Sequence, residues 1–130
     1  MNTEFLRKLL GPLPKETGFR GQMRIHQAWW RAFVLAEEPG YHPVNNDKKI
    51  GSTIVDGETT GKNFLSNNIQ NSIRKTIEER NMFGAGMLAE DRLFNNLLSS
   101  QPLCFNFFGE LKMDSDLALK ILQCFYPNLT

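Results

Sequence analysis

Cysteine and histidine are scarce in this chain, with two of each: Cys104 and Cys124, His26 and His42. Neither cysteine belongs to a CxxC pair or lies near a histidine, so the spacing excludes a Cys/His metal centre and a disulfide framework. Both cysteines sit in apolar stretches and are expected to be buried, reduced thiols. Long apolar runs are absent too. None approaches the roughly 20 residues needed to cross a bilayer, so no membrane partner is expected. Met1 to Leu10 carries Glu4, Arg7 and Lys8 within a short apolar pattern and lacks the h-region and cleavage site of a signal peptide, which points to a cytoplasmic protein. Net charge is small, +1. It divides into +3 over residues 1–80 and −2 over residues 81–130. Such an excess does not mark a nucleic-acid binder by itself, so the placement of the charges matters more than their number.

What the chain does have is bulky core material. Ten Phe and two Trp occur in 130 residues, with 41% apolar and 22% charged content, which suits a single globular domain over residues 1–130. The pattern is mainly helical. A short helix is expected from Thr3 to Leu10, stopped by Gly11-Pro12. Phe19 to Glu38 reads as one long amphipathic helix with Ile25, Trp29, Ala32, Phe33 and Ala36 on its apolar face, ended by Pro39-Gly40. Residues 41–63 form a long irregular connection, in which only Ile50 to Val55 suits a short strand. Ser66 caps the next helix, which carries Ile69, Ile73 and Ile77 and frays near Arg80-Asn81. Phe83-Gly84-Ala85-Gly86 is a turn. Met87 to Ser99 reads as a further helix, then Ser100 caps another with Pro102 in its first turn and Gly109 as its stop. Ser115 or Asp114 caps a last helix, Asp116 to Phe125.

The clearest electrostatic pattern lies on the long first helix. Arg20, Arg24, Gln27 and Arg31 are spaced i, i+4, i+7 and i+11, which lines them up opposite the Ile25/Trp29 face. Three guanidinium groups and an amide on that line could meet successive phosphates over ~16 Å of a groove edge. The other reading is a solvated polar face, with Gln27 bonding backbone and Arg31 pairing with an acid. Gly57-Glu-Thr-Thr-Gly61-Lys62-Asn63 departs from a phosphate loop: the first glycine is one position late and Asn63 replaces the Ser/Thr. Nucleotide hydrolysis is therefore rejected, although Lys62 before a helix N-terminus can hold a single phosphate. The lone histidines read as structural or exposed.

The most specific segment is Arg92 to Gly109. It is too apolar for a surface loop, it is broken by Ser99-Ser100-Gln101-Pro102, and it sets Asn106 among Phe105, Phe107 and Phe108. Together with Arg24-x-x-Gln27-x-x-Trp30-Arg31 and Gly61-Lys62-Asn63-Phe64-Leu65, in that order along residues 20–110, it resembles a bacterial restriction-endonuclease-like family of the PD-(D/E)XK nuclease superfamily. The resemblance implies the helical N-terminal portion of an α/β nuclease fold, with the catalytic sheet falling after this region and absent from this chain. It implies DNA as partner and hydrolysis of DNA phosphodiesters with Mg²⁺ in intact relatives, a reaction in which an Asp on one strand and a (D/E)-x-K on the next hold the metal and orient water. No metal is expected for this chain alone. Glu110-Leu111-Lys112 has the letters but follows Gly109 at a helix end, so it is not taken as the active site. Glu90 corresponds to the acid that the first core helix contributes in many such folds. Its other reading is a surface acid favoured by the helix macrodipole. Residues 97–108 are expected to expose an apolar patch, for a missing catalytic half or for self-association. The alternative to a nuclease part is a self-contained helical module that binds protein or DNA without catalysis.

Overall fold

The computed structural model describes residues 3–45, 47–84 and 86–130. Asn46 of the irregular connection and Ala85 of the Phe83–Gly86 turn therefore lie outside the described residues. The architecture is mainly helical. Among the described residues there is no strand, only two isolated antiparallel bridges, Tyr41 to Lys49 and Thr53 to Asn96. The helices are α1 (Thr3–Leu10), α2 (Gly18–Trp29), α3 (Gly57–Thr60), α4 (Asn67–Phe83), α5 (Glu90–Asn95), α6 (Ser100–Met113) and α7 (Ser115–Gln123). The chain forms two compact units. The first comprises Met1–Asn63 and Ala89–Pro102, the second Phe64–Leu88 and Leu103–Thr130.

In the first unit α1 packs against α2. The expected single helix over Phe19 to Glu38 is instead α2 followed by a π-helical turn, Trp30–Val34, in which the Leu35 N–H donates to the Trp30 carbonyl at 3.0 Å. A π turn holds one residue more than an α turn, so it rotates the residues beyond it around the helix axis. Ala36 then adopts a left-handed φ of 53°, unusual without glycine, and the Glu37 N–H returns to the Arg31 carbonyl to close the helix.

The segment after it has little regular structure and takes its hydrogen bonds elsewhere. Gly40 exchanges bonds with Thr53 and Ile50, Ile54 N–H donates to the Asn95 carbonyl at 2.9 Å, and Leu97 N–H donates to Ser52 at 3.2 Å. Side chains supply what the backbone lacks: Asn63 Nδ2 donates to the Leu93 carbonyl, Asn95 Oδ1 accepts from the Gly57 N–H, and Thr53 Oγ1 donates to the Ile50 carbonyl. Two glycines let chain segments touch. A Cβ on Gly51 would overlap the Leu10 carbonyl oxygen, and one on Gly57 would overlap that of Phe94. Ala28, Ile50, Ile54 and Leu93 are the buried apolar residues here. The strand expected at Ile50 to Val55 is reduced to the single bridge at Thr53, because the backbone there bonds to several segments rather than to one ladder.

In the second unit Ser66 caps α4 as expected, its Oγ accepting from the Ile69 N–H at 3.2 Å. Ile69, Ile73 and Phe64 are buried, and α4 runs past Arg80 to Phe83, where Gly84 ends it in the left-handed conformation. Asp114 caps α7, its Oδ1 accepting from the Leu117 N–H at 2.9 Å. Three expectations for the region after Met87 need correction. The helix expected over Met87 to Ser99 is only α5, since Asn96 leaves it for the bridge to Thr53. Gly109 does not stop a helix. It lies inside α6 and is buried against Ile69, where a Cβ would come 3.1 Å from the isoleucine side chain. Cys104 and Cys124 are exposed rather than buried, since the apolar residues around them also face outward.

Candidate nucleic-acid interface and the E-x-K segment

In α2 and the π turn after it, the face expected to be buried lies at the surface. Ile25, Trp29 and Phe33 lie at the surface, 51%, 45% and 45% exposed, whereas Ala28 and Arg31 are buried. Trp29 is therefore not a core residue. Its ring stacks loosely with Phe33, centroids 5.9 Å apart. The physical reason is the company that α2 keeps. The irregular segment beside it offers carbonyl oxygens, and an arginine satisfies those where isoleucine cannot.

Arg31 is 1% exposed. Its Nε donates to the Gly51 carbonyl at 2.8 Å, Nη2 to the Leu9 carbonyl at 2.6 Å, and Nη1 to the Glu37 carbonyl. Burial pulls its pKa below the usual guanidinium range, and Glu38 and Glu37 oppose that pull. This side chain is not available to a phosphate, and it pairs with backbone rather than with an acid. Arg24 is half-buried and forks onto Glu16, with Nε at 2.5 Å from one carboxylate oxygen and Nη2 at 3.1 Å from the other. The hydrogen bond from Arg24 holds the Glu16 carboxyl below its ordinary range, aided by the charges of Arg24 and Arg20. Gln27 is half-buried, and Arg20 is exposed. Of the line Arg20–Arg24–Gln27–Arg31, only the first member is exposed.

Lys62 is exposed, but its Nζ is held by Glu37 and by the Leu35 carbonyl at 3.3 Å. Those contacts tie it to the end of the π turn. Glu90 is half-buried at the first position of α5, where the helix dipole favours an acid. His42 accepts from the N–H groups of Val44 and Asn45 through Nδ1, which leaves Nε2 to carry the proton of the neutral ring. It shares a cleft of about 370 Å³ with Tyr41, Asp56, Asp91 and Asn95. That grouping was not legible in the sequence, because its members come from three separate stretches of loop and helix.

Glu110 and Lys112 lie in α6. Two positions apart on a helix, their side chains diverge by about 200°, whereas on a strand they would share a face. Each is also engaged separately. Glu110 accepts from Ser66 Oγ and from Asn68 Nδ2, and these bonds hold its carboxyl below the ordinary glutamate range. Lys112 Nζ bonds Thr76 Oγ1 at 3.0 Å and approaches Glu79 at 3.4 Å.

Residues 14–130 match the family model of the PD-(D/E)XK nuclease superfamily. The chain belongs to that superfamily. No curated protein and no solved structure matches it. PD-(D/E)XK nucleases generally use divalent metals. The donors present here do not fit such an ion. Among the described residues no three His, Cys, Asp or Glu side chains gather where they could hold a metal. Glu110 serves the α4 cap instead. No described helix is long and apolar enough to cross a membrane.

Proposed function

We propose that this chain supplies a helical, DNA-facing part of a PD-(D/E)XK nuclease and does not hydrolyse DNA by itself. The observation that carries the reading is the one E-x-K sequence, placed on a helix with its carboxylate and ammonium groups pointing apart and bonded elsewhere. Water activation needs both groups at one metal. Neither Glu110 nor Lys112 is then read as catalytic, and Glu90 remains the candidate for an acid contributed from this side. Arg20 is the member of the α2 line that supports DNA contact best, with Lys62 second because Glu37 already holds it. Plasmid nicking tests the catalytic half of this proposal. With Mg²⁺ or Mn²⁺ the chain should leave supercoiled plasmid intact. Nicking that disappears in a Glu110→Ala, Lys112→Ala variant would overturn the reading.

A second reading is favoured by Leu103, Phe107 and Phe108 of α6, which are 66%, 70% and 56% exposed. So apolar a patch suits a self-associating or partner-binding module without catalysis. Sedimentation tests the patch: association that rises with concentration supports this second reading, whereas a monomer at all concentrations that also fails to bind a hydrophobic dye counts against any partner there, a missing catalytic half included.

A further inference from the structure

The positive charge of this chain is concentrated at its start. Residues 4–36 hold six Lys or Arg against two acids, Glu4 and Glu16. Two of the six are committed internally, Arg31 to three carbonyls and Arg24 to Glu16. That second pairing also takes up Glu16, while Glu4 lies in the first turn of α1. The other four, Arg7, Lys8, Lys15 and Arg20, are exposed. They belong to one unit and to elements that pack together: Arg7 and Lys8 sit in the last turn of α1, Lys15 in the link to α2, and Arg20 in the first turn of α2. Arg20 is near enough to Glu16 to act on its carboxyl. Arg7 and Lys8 also line a cleft of about 510 Å³ with Gly11 and Pro12.

We propose that Arg7, Lys8, Lys15 and Arg20 form one contact surface for the phosphate backbone of duplex DNA, binding it through charge and without reading its sequence. The surface rests on the DNA-facing reading above and locates it. Arg7 and Lys8 fall outside the stretch matched to the superfamily, so that match does not assign them. Phosphate fits better than a lipid surface. The end of α1 is fastened to the unit, with the Leu9 carbonyl taken by Arg31 and the Pro12 carbonyl by the Gly51 N–H at 2.7 Å. An interfacial helix would need a free apolar face along its length.

The test is fluorescence anisotropy of a labelled mixed-sequence duplex with the full chain, from about 50 to about 200 mM salt. Four phosphate contacts predict a log–log salt slope of up to about −3.6. Arg7→Gln, Lys8→Gln, Lys15→Gln and Arg20→Gln together should make that slope shallower by up to about 3.6 and weaken binding by roughly tenfold or more at the lowest salt. A control that removes as many charges elsewhere, at Lys48, Lys75, Arg92 and Lys120, should keep the slope. A slope that survives the first variant, or falls equally in the control, overturns the surface while leaving DNA as partner. A native chain that ignores duplex at the lowest salt overturns both. Tighter binding to anionic phospholipid vesicles than to duplex at equal salt overturns the surface as a DNA site.

Discussion

In the first unit the buried side chains include Arg31, Ser52, Thr53 and Asn63 beside Ala28, Ile50, Ile54 and Leu93. In the second they are chiefly Phe64, Ile69 and Ile73, with Ser72. The first unit has long stretches without helix, so its backbone groups must find partners outside any ladder, and polar side chains provide them. The second is mostly helical. Its backbone is self-sufficient, but its helices leave Leu103, Phe107, Phe108, Ile121, Leu122 and Phe125 at the surface. Irregular backbone thus draws polar residues inward, and regular backbone with one buried face leaves apolar residues outside.

That contrast predicts where each unit breaks. The largest effect should come from Arg31→Met, which keeps the buried stem and strands three carbonyls. We expect a loss of about 3–5 kcal/mol in urea unfolding. A loss under about 1 kcal/mol would mean that water replaces the guanidinium. Gly51→Ala comes next, at about 3 kcal/mol, because its new Cβ meets the backbone of Leu10 rather than a side chain that can turn aside. The second unit should be more forgiving. Gly109→Ala gains helix propensity of about 1 kcal/mol but presses on buried Ile69, so a net loss of about 1 kcal/mol is expected. A net gain would show that Ile69 can shift.

Acid should touch both units. The carboxyls of Glu16 and Glu110 are held below the ordinary range by hydrogen bonds, so each contributes stability above its unfolded pKa of about 4.3. That contribution is lost as pH falls through the lower folded value. Unfolding midpoints should be flat from neutral pH to about 5 and fall below it, and Glu16→Gln should flatten part of the decline. The smallest effect on stability belongs to Phe107→Ser, within about 0.5 kcal/mol, because the ring is 70% exposed. Its consequence should appear instead as weaker dye binding.

Signals confined to a few neighbouring residues were legible in the sequence. The Ser66 and Asp114 caps, α1, and Pro102 in the first turn of α6 arise from local chemistry and appear where expected. Features set by a distant partner were not. Periodicity places Trp29 inside and Arg31 outside, yet the carbonyls of Leu9, Glu37 and Gly51 reverse the preference, and nothing near Arg31 announces them. Gly109 reads as a stop because a glycine needed for close approach looks the same in sequence. Arg20, on the polar line of the first long helix, is exposed as expected. For the candidate site, the superfamily was legible from three motifs, whereas the neutralisation of Arg24 by Glu16 needed the fold.

The π turn at Trp30–Val34 bears on how this stretch tolerates change in length. It accommodates one residue more than an α-helix of the same rise, so deleting a single residue there could be absorbed by reverting to α geometry. The residues beyond it would then keep their places around the axis, the Glu37 carbonyl among them, whereas reversion without a deletion would turn them by about 100°. Relatives one residue shorter at this point should keep both the helix and an arginine facing these carbonyls.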